Sequence, residues 1–236
     1  ECRSRRQPPR APYHGAVLCR PYCEMPDVNF FSRDNHPPAP LTGDEQRMVD
    51  NVMHQCLSVT AQDRVVVITD PLQRPVGELF YAGAMRHAND VTLIVMPVTE
   101  RHGSEPPSAV AESMQEASVC LLPTSKSLTH TQARTDATDA GSRVASMPSI
   151  TLEMALRTLV ADYSEIARES IELADLLTAG SKVALTSPGG TDLTFNAHGR
   201  EAYADTGQFT KPGEMGNLPA GEAFIAPLEG SCNGVV

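Results

Sequence analysis

The chain has 236 residues, 41% of them hydrophobic, which is enough to bury a sizeable core, and only 5% aromatic with no Trp, so that core must be mainly aliphatic. Its formal net charge of −10 argues against a nucleic-acid or anionic-membrane binder. With no apolar run of about 18 residues, no apolar signal segment at the N-terminus and no Asn-x-Ser/Thr site, the expectation is a cytoplasmic protein without a membrane partner.

Residues 1–43 differ from the rest. They hold eight of the nineteen prolines and six basic against four acidic residues, and they show no periodicity. We read them as a disordered leader or as sequence foreign to the domain. Cys19 and Cys23 are spaced as a metal pair could be, yet no second Cys or His pair with zinc-finger spacing follows.

From Asp44 onward helices and strands alternate. Met48, Val49, Val52, Met53 and Cys56 recur at helical spacing over 44–57, with Asp44 placed as an N-cap. Val65–Thr69 is a β-branched run of the kind buried on both faces of a sheet. A helix is expected over 76–87, starting after Pro75, then a strand over 91–95, a helix over 107–117 and a strand over 119–122. A helix over 127–140 follows, ended by Gly141, then a short strand over 143–146. This alternation predicts an α/β fold with an open, mostly parallel, Rossmann-like sheet and flanking helices. Helices over 151–159 and 163–178 come next.

After Gly180 the signals turn to β. Residues 182–187 and 191–196 flank Pro188-Gly189-Gly190, a hairpin connection, and 222–228 reads as another strand. The expected division is a leader over 1–43, an α/β N-terminal domain over 44–179, and the incomplete beginning of a β-rich metal-binding domain over 180–236. Gly234-Val235-Val236 reads as the middle of a strand.

The loop Thr69–Gly77 after the first strand lacks the glycines that let a backbone approach a pyrophosphate, so no nucleotide cofactor is expected. Asp70 reads first as a turn residue before Pro71. Pro123–His130 follows the third strand and opens the next predicted helix. Ser125 and Lys126 there could meet a substrate carboxylate, or Ser127 could simply cap the helix and Lys126 be solvated. His102, His130 and His198 lie in polar loops without evident metal partners, and Cys56 and Cys120 read as small buried hydrophobes. Glu222 enters the apolar stretch Ala223-Phe224-Ile225, a costly place for a carboxylate unless paired or metal-bound, although a Glu at a strand start is ordinarily solvated.

Asn217-Leu218-Pro219, Gly221-Glu222, Phe224 and Ala226-Pro227 together resemble the signature motif of the aminopeptidase T/S (M29) metallopeptidases. Thr191–Phe195, Thr124–Thr131 and Ala145–Pro148 are similar to other segments of that family, and the likeness covers about 44–236. The resemblance implies a homodimeric aminopeptidase that removes N-terminal residues from small peptides. It also implies two divalent ions (Zn, Co or Mn), with Glu222 as a metal ligand. It places the other ligands beyond Val236, so that this chain alone is expected to be inactive. A related branch resembles 2,5-dihydroxypyridine 5,6-dioxygenase, which opens an aromatic ring with O₂ at a single Fe(II). A non-catalytic binding relative is the third reading.

Overall fold

The computed structural model describes residues 40–236. The expectation for 1–43, and the Cys19–Cys23 spacing, therefore fall almost wholly outside the described residues. The strands are β1 (Arg64–Thr69), β2 (Asp90–Val95), β3 (Val119–Leu122), β4 (Arg143–Ser146), β5 (Lys182–Thr186), β6 (Asp192–Asn196), β7 (Tyr203–Asp205), β8 (Met215–Asn217), β9 (Glu222–Phe224) and β10 (Asn233–Val235). The helices are α1 (Gly43–Asn51), α2 (Arg74–Ala84), α3 (Ser108–Glu116), α4 (Gln132–Asp139), α5 (Leu152–Thr158) and α6 (Tyr163–Ala179), with α1 running on into a π-helical turn, Val52–Cys56.

Five strands form one parallel sheet in the order β2-β1-β3-β4-β8. Its core follows from the two-residue period of a strand. Val65, Val67, Val119, Leu121 and Ala145 point to one face, under Met48, Val52, Phe80, Ile150 and Tyr163. Val66, Ile68, Cys120, Leu122 and Val144 point to the other, under Val110, Met114, Leu128 and Ala137. Both faces are covered, which is why β1 reads as a continuous apolar run. The expected α/β class and mostly parallel sheet are what the chain adopts. Among the described residues no helix is long and apolar enough to cross a membrane.

Several boundaries differ from the sequence reading. Thr42, not Asp44, caps α1: its hydroxyl accepts from Glu45 N–H while the Glu45 carboxylate accepts from Thr42 N–H, a reciprocal capping box. The helix expected from 127 starts at Gln132, because Thr131 Oγ1 accepts the Arg134 N–H. Ser127 instead holds a local turn, its Oγ accepting from Thr129 N–H at 3.1 Å. The strand expected over 222–228 shrinks to β9.

The hairpin β5–β6 forms around Pro188–Gly190 as expected, and β10 adds to its β6 side. Two further strands carry no sequence signal. β7 pairs antiparallel with β9 in a separate two-stranded ribbon, and β8 joins the parallel sheet beside β4. Leu218, directly after β8, donates its N–H to Ser146 O and is buried. The segment 215–222 thus starts inside the parallel sheet and ends in the ribbon.

Candidate functional site

In a doubly wound sheet the strand order reverses between β1 and β3, and ligands commonly bind beyond the carboxyl ends there. Here Asp70, at the end of β1, fills that crevice. Its Oδ2 accepts from Ser125 N–H at 2.6 Å and Ser125 Oγ–H at 2.7 Å, and its Oδ1 accepts from Leu72 and Gln73 N–H. Asp70 is buried, and these four donors satisfy it. The hydroxyl of Ser125 is therefore committed to Asp70.

Lys126 is half-buried, and among the described residues its ammonium has no ion pair. The helix N-terminus expected beside it lies further on, and its amides are already used. Glu105 accepts from Gln132 N–H at 2.6 Å and Ala133 N–H at 3.1 Å, so a carboxylate of the chain itself occupies the positive end of α4. His102, His130 and His198 are exposed, and His102 Nδ1 accepts the Ser127 N–H. Cys56 and Cys120 are buried, and burial pushes both thiols up to about 12, so neither is a nucleophile at neutral pH.

Next to this crevice, Thr129 Oγ1 lies 2.9 Å from Ser146 Oγ and 3.3 Å from Asn217 Oδ1. These contacts tie the end of β4 and the end of β8 together. They fix the start of the loop Leu218-Pro219-Ala220-Gly221, whose Leu218–Pro219 peptide is cis. Two glycines then let the ribbon settle on α6. Gly207 has φ +70°, and a Cβ there would fall 2.3 Å from the Tyr163 ring; Gly221 has φ +125°, and its Cβ would fall 2.9 Å from Ile166. Tyr163 is wholly buried, and burial raises its pKa, which the nearby Ala220 backbone partly offsets.

The outcome is a face the sequence does not reveal. In the ribbon, Tyr203 stands opposite Phe224 and Asp205 opposite Glu222, with the Ala204–Ala223 pair between. Alternation puts Tyr203, Asp205, Glu222 and Phe224 on one side. Glu222 is exposed and Asp205 half-buried. Burial raises the Asp205 pKa, the Gly207 N–H partly offsets this, and the Glu222 charge raises it further. The two rings have centroids 5.7 Å apart at 27°, and they are 58% and 50% exposed. Asp205 went unnoticed in the sequence because nothing there marks β7 as a strand.

Such a pair fits a hard divalent cation in donor type, since oxygen donors of like charge gain from an ion between them. In number it falls short. Among the described residues no group of three or more His, Cys, Asp or Glu side chains is arranged to hold a metal.

Two solved structures share the fold. The 2,5-dihydroxypyridine dioxygenase from Pseudomonas putida KT2440 has TM-score 0.64 at 17% identity, covering 83% of this chain and 59% of that one. Wild-type AmpT from Thermus thermophilus has TM-score 0.50 at 16% identity, covering 82% and 64%. At such identities the likeness is one of fold, and the chain spans less than two-thirds of either relative's length. No curated protein sequence matches. The family model described as NicX, 2,5-dihydroxypyridine 5,6-dioxygenase, matches residues 46–236, from α1 through β10, and so this chain belongs to the NicX family.

Proposed function

We propose that the protein is a metal-dependent enzyme whose cation is approached by Asp205 and Glu222, and that it opens a hydroxylated aromatic ring of the dihydroxypyridine type with O₂. The observation that carries the reading is the family match over residues 46–236. The fold shared with the P. putida dioxygenase supports it.

In this reading Glu222 and Asp205 would offer carboxylate oxygens to an Fe(II) ion, which would need further ligands beyond this pair. When bound, the ion supplies activation of O₂. The chain's own contribution is placement. Thr129, Ser146 and Asn217 hold the loop start, Gly221 seats the loop against Ile166, and the β7–β9 pairing brings Asp205 to Glu222. Asp205 is half-buried, and burial raises its pKa above the ordinary carboxylate value.

The aminopeptidase reading stands second. It is favoured by the Gly221-Glu222 motif together with the facing Asp205, since a two-ion hydrolytic centre calls for more carboxylates than a single iron does. AmpT supports it in fold. In that case Ser125 and Lys126 remain the proposed contacts to a peptide carboxylate, through Lys126 more than the committed Ser125 hydroxyl.

The test is to express the full open reading frame containing this chain and reconstitute it anaerobically with Fe(II), and separately with Zn, Co or Mn. O₂ uptake on 2,5-dihydroxypyridine and cleavage of an aminoacyl chromogenic amide are then measured. O₂ uptake with iron alone supports the first reading. Amide cleavage with Zn, Co or Mn and no O₂ uptake replaces it with the second.

A further inference from the structure

A cavity of about 430 Å³ is formed by α1 with its π-helical turn and by the segment that joins α5 to α6. It is lined by Arg47, Asp50, Asn51, His54, Gln55 and Val160, none of which belongs to the β7–β9 ribbon. A volume of this order suits a small organic ligand. Arg47, Asp50, Asn51 and His54 follow one another on one helix face, with about 5.4 Å of rise per turn. His54 and Gln55 lie in the turn Val52–Cys56, and π-helical turns recur at functional sites.

Three of these side chains are held in place, and each has one polar group left over. Asn51 Nδ2 donates to Leu159 O and Ala161 O, both at 2.8 Å, which leaves Oδ1 as an acceptor. Gln55 Oε1 accepts the Tyr163 N–H at 2.8 Å, which leaves Nε2 as a donor. Asp50 Oδ1 lies 2.7 Å from His87 Nε2, and the His54 ring braces His87 edge to face, 4.6 Å between centroids and 89° between planes. The other Asp50 oxygen has no hydrogen bond among the described residues. Arg47 is paired among the described residues with Asp44 alone, and both side chains are exposed. Such a surface pair holds the guanidinium weakly, so a ligand can share it.

We propose that this cavity binds a free α-amino acid with an apolar side chain. The ligand carboxylate meets the Arg47 guanidinium. Its ammonium meets the free oxygens of Asp50 and Asn51, one turn further on. Its side chain lies toward Val160, which is 46% exposed and gains by being covered. The order of charges along the helix selects the ligand. A simple anion would be repelled by Asp50 and a simple cation by Arg47, whereas a zwitterion gains a charge-assisted hydrogen bond from each. Residues three apart on a helix have Cβ atoms about 5–6 Å apart, a gap that one amino-acid backbone bridges with a hydrogen bond at either end.

The test is calorimetric titration of the full-length protein with L-leucine, after divalent ions have been removed by chelation. Working without metal keeps this site apart from the metal-dependent activity proposed above, which neither outcome touches. L-leucine should bind. N-acetyl-L-leucine, which lacks the ammonium, and isopentylamine, which lacks the carboxylate, should each bind at least about tenfold more weakly, the scale of one lost hydrogen bond between charged groups. Arg47→Ala and Asp50→Asn should each weaken L-leucine by about the same factor, and Arg47→Lys should recover part of the loss. The melting temperature of Arg47→Ala should match wild type, because that side chain is exposed. If Asp50→Asn fails to fold, Arg47→Ala and the two analogues still decide. Absence of L-leucine binding at millimolar concentration overturns the proposal. So does an affinity that Arg47→Ala leaves unchanged, or an amine that binds as well as the amino acid.

Discussion

Asp205 and Glu222 stand directly opposite each other across the β7–β9 ladder, two carboxylates on one side of a two-stranded ribbon. Opposed like charges destabilise a sheet pair. Their juxtaposition is the unfavourable contact that the proposed cation would relieve.

Neutralising either partner should therefore separate stability from metal binding. In metal-free protein, Asp205→Asn is expected to raise stability by about 0.5 kcal/mol, since it removes the like-charge contact while its amide oxygen can still accept the Gly207 N–H. Glu222→Gln should act in the same direction. With divalent ions added, both variants should be stabilised less than wild type. Urea unfolding with and without metal reads both effects, and a metal-free loss of stability in Asp205→Asn would contradict the pairing argument.

The pH dependence has two opposed parts. Asp205 has a raised pKa, so the folded state holds its proton more tightly than the unfolded chain does. Its effect is to reduce stability as pH rises from the ordinary Asp range through its folded pKa. Divalent ions should remove that loss, and Asp205→Asn should abolish it. Asp63 goes the other way. Burial alone would raise it, but the Thr60 N–H, Ser118 hydroxyl, Arg143 guanidinium and Thr60 hydroxyl hold it below its usual value. Its stabilisation is fully present above the unfolded Asp pKa and is lost as pH falls through the folded one. Denaturant midpoints from neutral to acid pH for wild type, Asp205→Asn and Asp63→Asn should show the two slopes separately.

The Asp63–Arg143 pair anchors the amino ends of β1 and β4. Both side chains are almost buried, and Arg143 also donates to Leu57 O and to Ser58 O. Asp63→Ala leaves that guanidinium without its counter-charge and should cost about 3–5 kcal/mol. Paired apolar replacement of both residues should cost far less. A double-mutant cycle on thermal unfolding checks this.

Ser125 and Lys126 should part company. Ser125→Ala removes one of four donors to Asp70 and is expected to cost about 1 kcal/mol of stability with KM unchanged. Lys126→Ala should leave stability nearly unaltered. If it raises KM for a carboxylate-bearing substrate, Lys126 is the contact of the pair. Steady-state kinetics beside a melting curve tells the two apart.

Gly207→Ala should release the ribbon from α6. The backbone there is left-handed and the new methyl would meet the Tyr163 ring, so a loss of about 1–3 kcal/mol is expected. Divalent affinity should fall with it, because Asp205 sits two residues before Gly207. Retained affinity in a destabilised Gly207→Ala would show the ribbon's seat to be irrelevant to the cation.

The sequence reveals the elements whose pattern is local. β1 is legible as an apolar β-branched run because both its faces are buried, and the β5–β6 hairpin is legible through its Pro-Gly-Gly turn. What stays hidden depends on distant partners. β8 is Met215-Gly216-Asn217, with no β-branched residue, and it becomes a strand only by pairing with Val144–Ser146. β7 likewise exists through β9. Glu222 could be singled out from its motif, but Asp205, Tyr203 and the shared face could not, since their meeting is a matter of register. The start of α4 misleads because Ser127 offers a hydroxyl at a plausible cap position while Thr131, four residues on, is the residue that caps.

The central claim is that the Asp205–Glu222 face meets a divalent cation. Elemental analysis of the full-length protein, purified in parallel with its Asp205→Asn and Glu222→Gln variants, tests it most directly. The account predicts bound metal in wild type and a clear loss in both variants with the fold retained by circular dichroism. Equal metal content and equal affinity in all three proteins would contradict it.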